Sequence, residues 1–233
     1  MTARREKELY AREDIEKVKA FYNDFLASEP GKYSPRSEFD ARYQSVLNFV
    51  KNIHTPGCKI LDVGCGTGMA AERLKVYGKV HGVDISDKSI EMARKRLEDA
   101  KVGMAEEIPY DDVTFDIVVC TEVIEHVLNP EKVFSEFKRV LVPGGYLILT
   151  TPNPYYWAVL LHKFICIFKK KSSTQIIEKM ISPAKMHQYL AAHQFYVFEF
   201  DIVYFKPFFL SKIMRKISPN LFLYQVYLTQ RCV

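Results

Sequence analysis

The sequence lacks the patterns that mark disulfide-stabilised, zinc-binding or secreted proteins. Its five cysteines form no CxxC pair and are odd in number, which predicts reduced thiols in a cytosolic protein. The opening segment MTARREKELYARED has no apolar run, so we expect no secretory signal there. A chain of 233 residues suits one large domain, or a core domain with a small addition.

Two common nucleotide-binding motifs are missing from the glycine-rich segment GCGTG, residues 64–68. No GK[ST] follows it, which excludes a P-loop, and Met69 stands where the GxGxxG motif needs its third glycine. The apolar strand KILDV nevertheless leads into the segment, and a helical pattern follows. Glycines at such a turn let a ligand approach the backbone and the free N–H groups of the helix. The alternative is a purely structural turn.

Basic residues are concentrated in the last third of the chain. Residues 151–233 hold 11 Lys and Arg against 3 Asp and Glu, whereas residues 1–150 hold 22 against 25. This surplus lies among aromatic and aliphatic residues, which is typical either of an anion-binding surface or of a solvated basic face. No RNA-binding module or aromatic RNA-binding motif is apparent, so the pattern does not favour a nucleic-acid partner.

Helical and strand patterns alternate along most of the chain. This alternation predicts an α/β fold with a doubly wound, mostly parallel sheet and an antiparallel edge strand. Helices are predicted at 6–28, 38–53, 69–78, 87–99, 129–141 and 182–195, and strands at 59–68 (with the glycine turn), 79–86, 100–110 (with a loop), 115–123, 143–153, 196–205 and 221–230.

Two acids flank the glycine-rich segment and suggest what it binds. Asp62 precedes the segment, and Asp84 ends the next predicted strand. An acid at the end of that strand can accept both hydroxyl groups of a ribose, so a nucleoside ligand would fit. A helix cap is the other use for such an acid, although Ser86 or Asp87 could supply the cap instead.

The segment TEVIEHV, residues 121–127, carries the other candidate chemistry. Glu122, Glu125 and His126 stand at i, i+3 and i+4, a spacing that would put them on one face of a helix. Three interpretations stay open: His126 acts as a general base with orienting partners; the three side chains bind Mg²⁺ or a similar ion; or the acids belong to a helix start and His126 packs or caps.

The motifs ILDVGCGTG, GVDIS, FDIVVCTEVIEHV and VLVPGGYLILTTPN, in this order, resemble those of class I S-adenosylmethionine-dependent methyltransferases. The nearest subgroup is the methyltransferase-11 type, with the ubiquinone-biosynthesis O-methyltransferases. The resemblance covers about residues 40–200 and implies a Rossmann-like, seven-stranded fold. It also implies N-terminal helices (1–53) that cover the pocket of a methyltransferase domain (54–233), with a hydrophobic-basic lid or insertion at about 154–181.

The resemblance also implies roles for individual residues. The glycine loop and Asp62 would hold the methionine part of S-adenosylmethionine, and Asp84 would bind its ribose. The catalytic candidates would be His126 and Glu125, and the metal candidates Glu122, Glu125 and His126. The cofactor-binding candidates are Arg42, Asp62, Gly64, Cys65, Gly66, Gly68, Asp84, Ile85, Met104, Ala105, Glu106, Thr121 and Glu122.

The segment WAVLLHKFICIFKKK, residues 157–171, is too short to span a bilayer. Its aromatic start and lysine end suit either a membrane interface or a lid over a hydrophobic substrate. Residues 204–217 repeat this hydrophobic-basic character. A cytoplasmic protein, in peripheral contact with a membrane through 157–171, is therefore one expectation.

Taken with the resemblance, the residues predict methyl transfer to a small or lipid-like acceptor, at an oxygen of a phenolic or quinone-precursor compound. The alternatives are N- or C-methylation of a sugar or other metabolite, and a protein that binds the cofactor without catalysis.

Overall fold

The structure is a computed structural model that describes residues 16–20, 23, 38–154, 180–203 and 224–232. The predicted segments 157–171 and 204–217, and most of the predicted helix 6–28, lie outside the described residues. Residues 16–20 and 23 of that helix are described and are helical. In the parts of the chain that are described, no helix is both long and apolar enough to cross a membrane.

The described chain forms a seven-stranded sheet with helices on both faces. The strands are β1 (Lys59–Val63), β2 (Lys79–Asp84), β3 (Asp99–Val102), β4 (Phe115–Thr121), β5 (Leu141–Pro152), β6 (Phe195–Val203) and β7 (Tyr224–Arg231). Their order across the sheet is β3-β2-β1-β4-β5-β7-β6. The first five strands pair in parallel, and β7 is antiparallel to both β5 and β6. The predicted doubly wound, mostly parallel sheet is confirmed, and its antiparallel strand stands one position in from the edge.

Apolar residues form two clusters, one on each face of the sheet. Helix α1 (Glu38–Ile53), a 3₁₀ helix (Ala71–Val76) and helix α2 (Asp87–Ala93) cover one face. Helices α3 (Pro130–Val140) and α4 (Pro183–Ala192) cover the other. The central strand β1 is buried from Ile60 to Val63, which explains its continuous apolar run.

Local side chains decide where the helices begin. Asn129 caps α3 by accepting a hydrogen bond from the Lys132 N–H, and Pro130 occupies the first helical turn, as predicted. Ser86 caps α2 by accepting from the Ser89 N–H. The Ser86 hydroxyl also donates to Asn23 Oδ1 at 2.6 Å, which ties the N-terminal helical residues to the start of α2.

Two predicted helices are shorter or tighter than expected. The α-helix predicted at 69–78 is a 3₁₀ helix confined to Ala71–Val76. A 3₁₀ helix rises about 2.0 Å per residue, whereas an α-helix rises about 1.5 Å. The same number of residues therefore spans a longer part of the connection between the glycine loop and β2. The helix predicted at 87–99 ends at Ala93, because the chain then turns to bury Leu97 before β3.

Gly68 lets the glycine-rich loop pack directly on α2. Its φ is +76°, and a Cβ at this position would stand 3.1 Å from Ala93 Cα and 3.3 Å from Leu97 Cγ. Gly57 has a similar φ of +79° but has nothing within 4 Å of an added Cβ. The two glycines therefore separate the conformational cost of an alanine from its packing cost.

We expect Gly57→Ala to lower the free energy of unfolding by about 1–2 kcal/mol, through backbone strain alone. Gly68→Ala should lower it by about 2–4 kcal/mol, since overpacking adds to the same strain. Urea unfolding of the two variants beside the wild type measures both values. Equal losses would show that the loop does not press on α2 as described.

Candidate functional site

A cavity of about 380 Å³ opens at the carboxyl ends of β1, β2 and β4. The strand order reverses between β1 and β4, because the chain passes from β1 outward to β2 and β3 and then returns to β4. In open α/β sheets this switch point leaves a crevice at the carboxyl ends of the strands, where ligands bind. The sheet topology therefore accounts for the position of the cavity.

The glycine-rich loop forms one wall of the cavity and packs closely against β2 and the turn after β4. The Gly64 and Cys65 N–H groups both donate to Val83 O, at 2.8 and 3.1 Å. Gly64 has a φ of +78°, and a Cβ there would collide with Val123 Cγ2. A side chain at this position would therefore displace either the loop or the turn that follows β4.

Asp84 holds the loop from the end of β2. Its Oδ2 accepts from the Gly66 N–H and its Oδ1 from the Ser86 N–H, each at 2.9 Å. Burial raises the pKa of the Asp84 carboxyl, and these two N–H groups oppose the rise. The cap of α2 is Ser86 rather than Asp84. The Asp84 carboxyl also lines the cavity, where it can accept further hydrogen bonds from a ligand.

Asp62 is a buried acid without a partner for one of its oxygens. Its side chain lines the cavity, only 2% of the residue is exposed, and Oδ1 makes no hydrogen bond with any described residue. Burial, and then the charge of Asp84, raises the Asp62 pKa from 3.8 to about 8. A cationic ligand group placed here would satisfy the orphaned oxygen and stabilise the ionised carboxylate.

The loop after β3 forms a third part of the wall through Met104, Ala105 and Glu106. The Glu106 side chain is engaged elsewhere: its Oε1 accepts from the Leu128 N–H at 2.9 Å and the Asn129 N–H at 3.4 Å. Glu106 therefore braces the loop that follows the TEVIEHV segment, and this loop also lines the cavity through Leu128.

The segment TEVIEHV is a turn and not a helix beyond Thr121, the last residue of β4. Glu122, Glu125 and His126 therefore do not share the face that their spacing would give them on a helix. Glu122 has a φ of +55°, which reverses the chain at the end of β4. Its Oε2 pairs with Arg42 Nη1 of α1 at 2.6 Å, and its Oε1 accepts from the Thr150 hydroxyl at 2.8 Å.

Glu125 lies in the core rather than in the cavity. It is 1% exposed and does not line the cavity, and its Oε2 accepts from the Thr151 hydroxyl at 3.4 Å. Burial, and then the charge of Glu122, raises the pKa of the Glu125 carboxyl well above its usual range. The catalytic role predicted for Glu125 is therefore corrected to a buried structural one.

The predicted metal set does not assemble. Within the described part of the chain, no three His, Cys, Asp or Glu side chains are grouped so that they could hold a metal ion. Glu122 is paired with Arg42, whereas Glu125 is buried and turned toward Thr151. A hard cation needs converging ionised oxygens, so these residues do not fit one, and the prediction is corrected.

Most of the other predicted site residues meet at the cavity. Gly68 is the exception, because it packs on α2 and does not line the cavity. Those that line it are Arg42, Asp62, Gly64, Cys65, Gly66, Asp84, Ile85, Met104, Ala105, Glu106, Thr121, Glu122 and His126.

Several lining residues were missed in the sequence. Val18 lies on the apolar side of the predicted helix 6–28, and this position could have indicated that it faces the cavity. Thr67 and Met69 follow the glycines directly, so proximity could have indicated them. Arg73 and Val123 carried no signal, since only the folded chain turns them toward the cavity.

The buried Asp62 makes the stability of the unliganded protein depend on pH. Between about pH 4 and 8 the folded state keeps a proton that the unfolded chain loses, so the free energy of unfolding falls as pH rises. Asp62→Asn removes this dependence, and near pH 8 we expect the variant to be more stable than the wild type by roughly 2–4 kcal/mol. Urea unfolding across this range measures the difference. The exposed Asp111→Asn is the matched control, and an Asp62→Asn curve parallel to the wild type would contradict the burial argument.

Comparison with known proteins shows which family the chain resembles. Residues 61–149 match a family described as a methyltransferase domain. The chain is 30% identical over 200 residues to the ubiquinone biosynthesis O-methyltransferase of Rhizobium etli, a match that covers 77% of this chain and 81% of that protein. The protein of the same name from Dechloromonas aromatica is 32% identical over 149 residues, which covers 58% of this chain and 62% of that relative, less than two thirds of its length.

The fold has a counterpart among solved structures. A SAM-dependent methyltransferase of Thermotoga maritima superposes with a TM-score of 0.66 at 23% identity, covering 91% of this chain and 99% of that one. That likeness supports the fold, and the sequence relatives support the family. The chain is therefore a class I S-adenosylmethionine-dependent methyltransferase, and it belongs to the family that includes the ubiquinone biosynthesis O-methyltransferases.

Proposed function

We propose that this enzyme methylates the oxygen of a phenolic or quinone-precursor acceptor that is small or lipid-like. The observation that carries the proposal is the presence of His126 in the cavity wall, together with Glu122 and the glycine loop. The names of the relatives from Rhizobium etli and Dechloromonas aromatica support the same acceptor class.

The residues of the cavity suit S-adenosylmethionine, which supplies an activated methyl group on a sulfonium when bound. Asp62 would accept a hydrogen bond from the amino group of its methionine part, and the orphaned Oδ1 supports this role. Asp84 would accept hydrogen bonds from the ribose hydroxyls, and its Oδ2 would still accept from the Gly66 N–H of the loop. Ile85, Met104 and Ala105 would pack against the adenine, as their place in the cavity wall supports.

His126 would take the proton of the acceptor hydroxyl. An imidazole suits this step because a phenol must lose its proton near neutral pH. The Glu122 carboxyl interacts with His126, and its charge would favour the imidazolium that results. Burial raises the Glu122 pKa, and Arg42 and Thr150 oppose the rise. The remaining contribution is positioning, since holding the acceptor oxygen in line with the methyl group removes much of the barrier.

The N-terminal residues 1–53 would form the cover of the pocket. Val18 and Arg42 both line the cavity, although they come from separate helical segments. The Lys19 ammonium pairs with Asp87 at 2.8 Å, which supports docking of this cover on α2.

An acceptor panel tests the proposal directly. We expect methyl transfer from S-adenosylmethionine to catechols with apolar tails, and little transfer to matched amines or sugars. Product analysis by mass spectrometry locates the new methyl group. Methylation confined to nitrogen or carbon would overturn the assignment to oxygen and favour the alternative acceptors.

Substitution of His126 tests the base. His126→Asn should lower kcat on a phenol about 10²- to 10⁴-fold, because the proton acceptor is lost. His54→Asn is the matched control, since His54 bonds Lys51 O and lies outside the cavity. A kcat of His126→Asn equal to that of His54→Asn would exclude His126 as the base.

We also propose that residues 157–171 contact a membrane surface, in a cytoplasmic enzyme that meets its acceptor there. A mixed aromatic, aliphatic and lysine segment supports this, because such segments bind anionic interfaces. Flotation with vesicles that contain an anionic phospholipid should lose most of the bound protein in the triple variant Lys169→Glu, Lys170→Glu and Lys171→Glu. The same charge change at Lys51, Lys88 and Lys95 should leave flotation intact; equal loss in both would argue against a specific contact.

A further inference from the structure

Two adjacent threonines of β5 hold the two glutamates of the TEVIEHV segment. The Thr150 hydroxyl donates to Glu122 Oε1 at 2.8 Å, and the Thr151 hydroxyl donates to Glu125 Oε2 at 3.4 Å. Both threonines are fully buried, and neither lines the cavity. The segment therefore depends on a neighbouring strand for the placement of its acids.

Successive residues of a strand point to opposite faces of the sheet. Thr150 lies two residues beyond Ile148 and so shares its face, which carries the cluster under α1. Thr151 lies two residues beyond Leu149 and so shares the face of the opposite cluster. Glu122 is thereby drawn to the α1 side of the sheet and Glu125 to the other side. This explains why two glutamates three residues apart do not converge.

Glu122 is held more firmly than an ordinary pocket residue. Its φ of +55° is one that non-glycine residues adopt rarely, and such strain persists only where the surroundings enforce it. Thr150 supplies two of the contacts that enforce it, since Thr150 O also accepts from the Glu122 N–H at 3.2 Å. The remaining oxygen, Oε2, pairs with Arg42.

The contacts of Thr150 reach Arg42 through Glu122. Arg42 stands on α1, its side chain is 13% exposed, and it lines the same cavity as the glycine loop. An ion pair that is largely removed from water needs a fixed geometry to be favourable. The hydroxyl of Thr150 supplies part of that geometry by orienting the Glu122 carboxylate.

We propose that Thr150 is a positioning residue, which acts through the Glu122 carboxylate to set Arg42 against bound S-adenosylmethionine. The inference rests on the proposed cofactor site but not on the acceptor class. Thr150→Val keeps the shape of the side chain and replaces its hydroxyl with a methyl group. A hydrogen bond to a charged group corresponds to about 10- to 100-fold in an equilibrium constant, so the dissociation constant should rise within that range.

Calorimetric titration with S-adenosylhomocysteine measures this change without any acceptor. Thr150→Ser retains a hydroxyl and should bind nearly as the wild type does. Thr229→Val is the matched control, because Thr229 is an equally buried strand residue whose hydroxyl donates to Leu147 O at 3.2 Å. Should Thr150→Val not fold, Thr150→Ala is the second variant, and its loss of affinity should be at least as large.

A double-mutant cycle decides whether the effect passes through Glu122. In a Glu122→Gln background, Thr150→Val should change the dissociation constant less than about twofold, since the carboxylate that it orients is already gone. Independent, multiplying effects of the two substitutions would overturn the inference. So would a Thr150→Val effect no larger than that of Thr229→Val. A wild type that binds S-adenosylhomocysteine but methylates no phenol would instead contradict the proposed acceptor alone.

Discussion

The parallel pairing of β1 with both β2 and β4 is the constraint on which the site depends. It brings three strand ends to one edge of the sheet, so that Asp62, Asp84 and Thr121 surround a single cavity although they are far apart in the chain. The bend of the glycine loop across that edge follows from the same pairing, because the Gly64 and Cys65 N–H groups bond to the end of β2. A change in the register of β1 would move the acids and the loop together.

The site stores unfavourable energy that a cofactor can relieve. Asp62 is buried beside Asp84 with one oxygen unpartnered, and Glu122 keeps a rare backbone conformation. Backbone strain and buried ionisable groups of this kind are retained where the surrounding structure over-determines them and function uses them. The sheet supplies that support through residues outside the cavity, such as Thr150 behind Glu122.

Much of the fold could be predicted from the residues. The apolar runs of the strands, the cap formed by Asn129 and Pro130, and the alternation of elements identified a doubly wound sheet, because hydrophobic period and turn chemistry are local properties. The 3₁₀ helix at Ala71–Val76 and the early end of α2 at Ala93 were not predicted, since packing against the sheet decides them. Most cofactor-site candidates also met at the cavity, because strand ends and glycine turns are visible in the sequence.

The sequence by itself determined the class of enzyme and the loop, the acids and the histidine that form its site. Only the tertiary structure decided how Glu122, Glu125 and His126 divide their roles. Their spacing suggested one face of a helix, but the chain turns after β4, and β5 presents Thr150 and Thr151 on opposite faces of the sheet. One glutamate therefore reaches the cavity and Arg42, while the other is buried in the core. The physical reason is that hydrogen-bond partners from a strand distant in sequence, and not residue spacing, set the direction of each side chain.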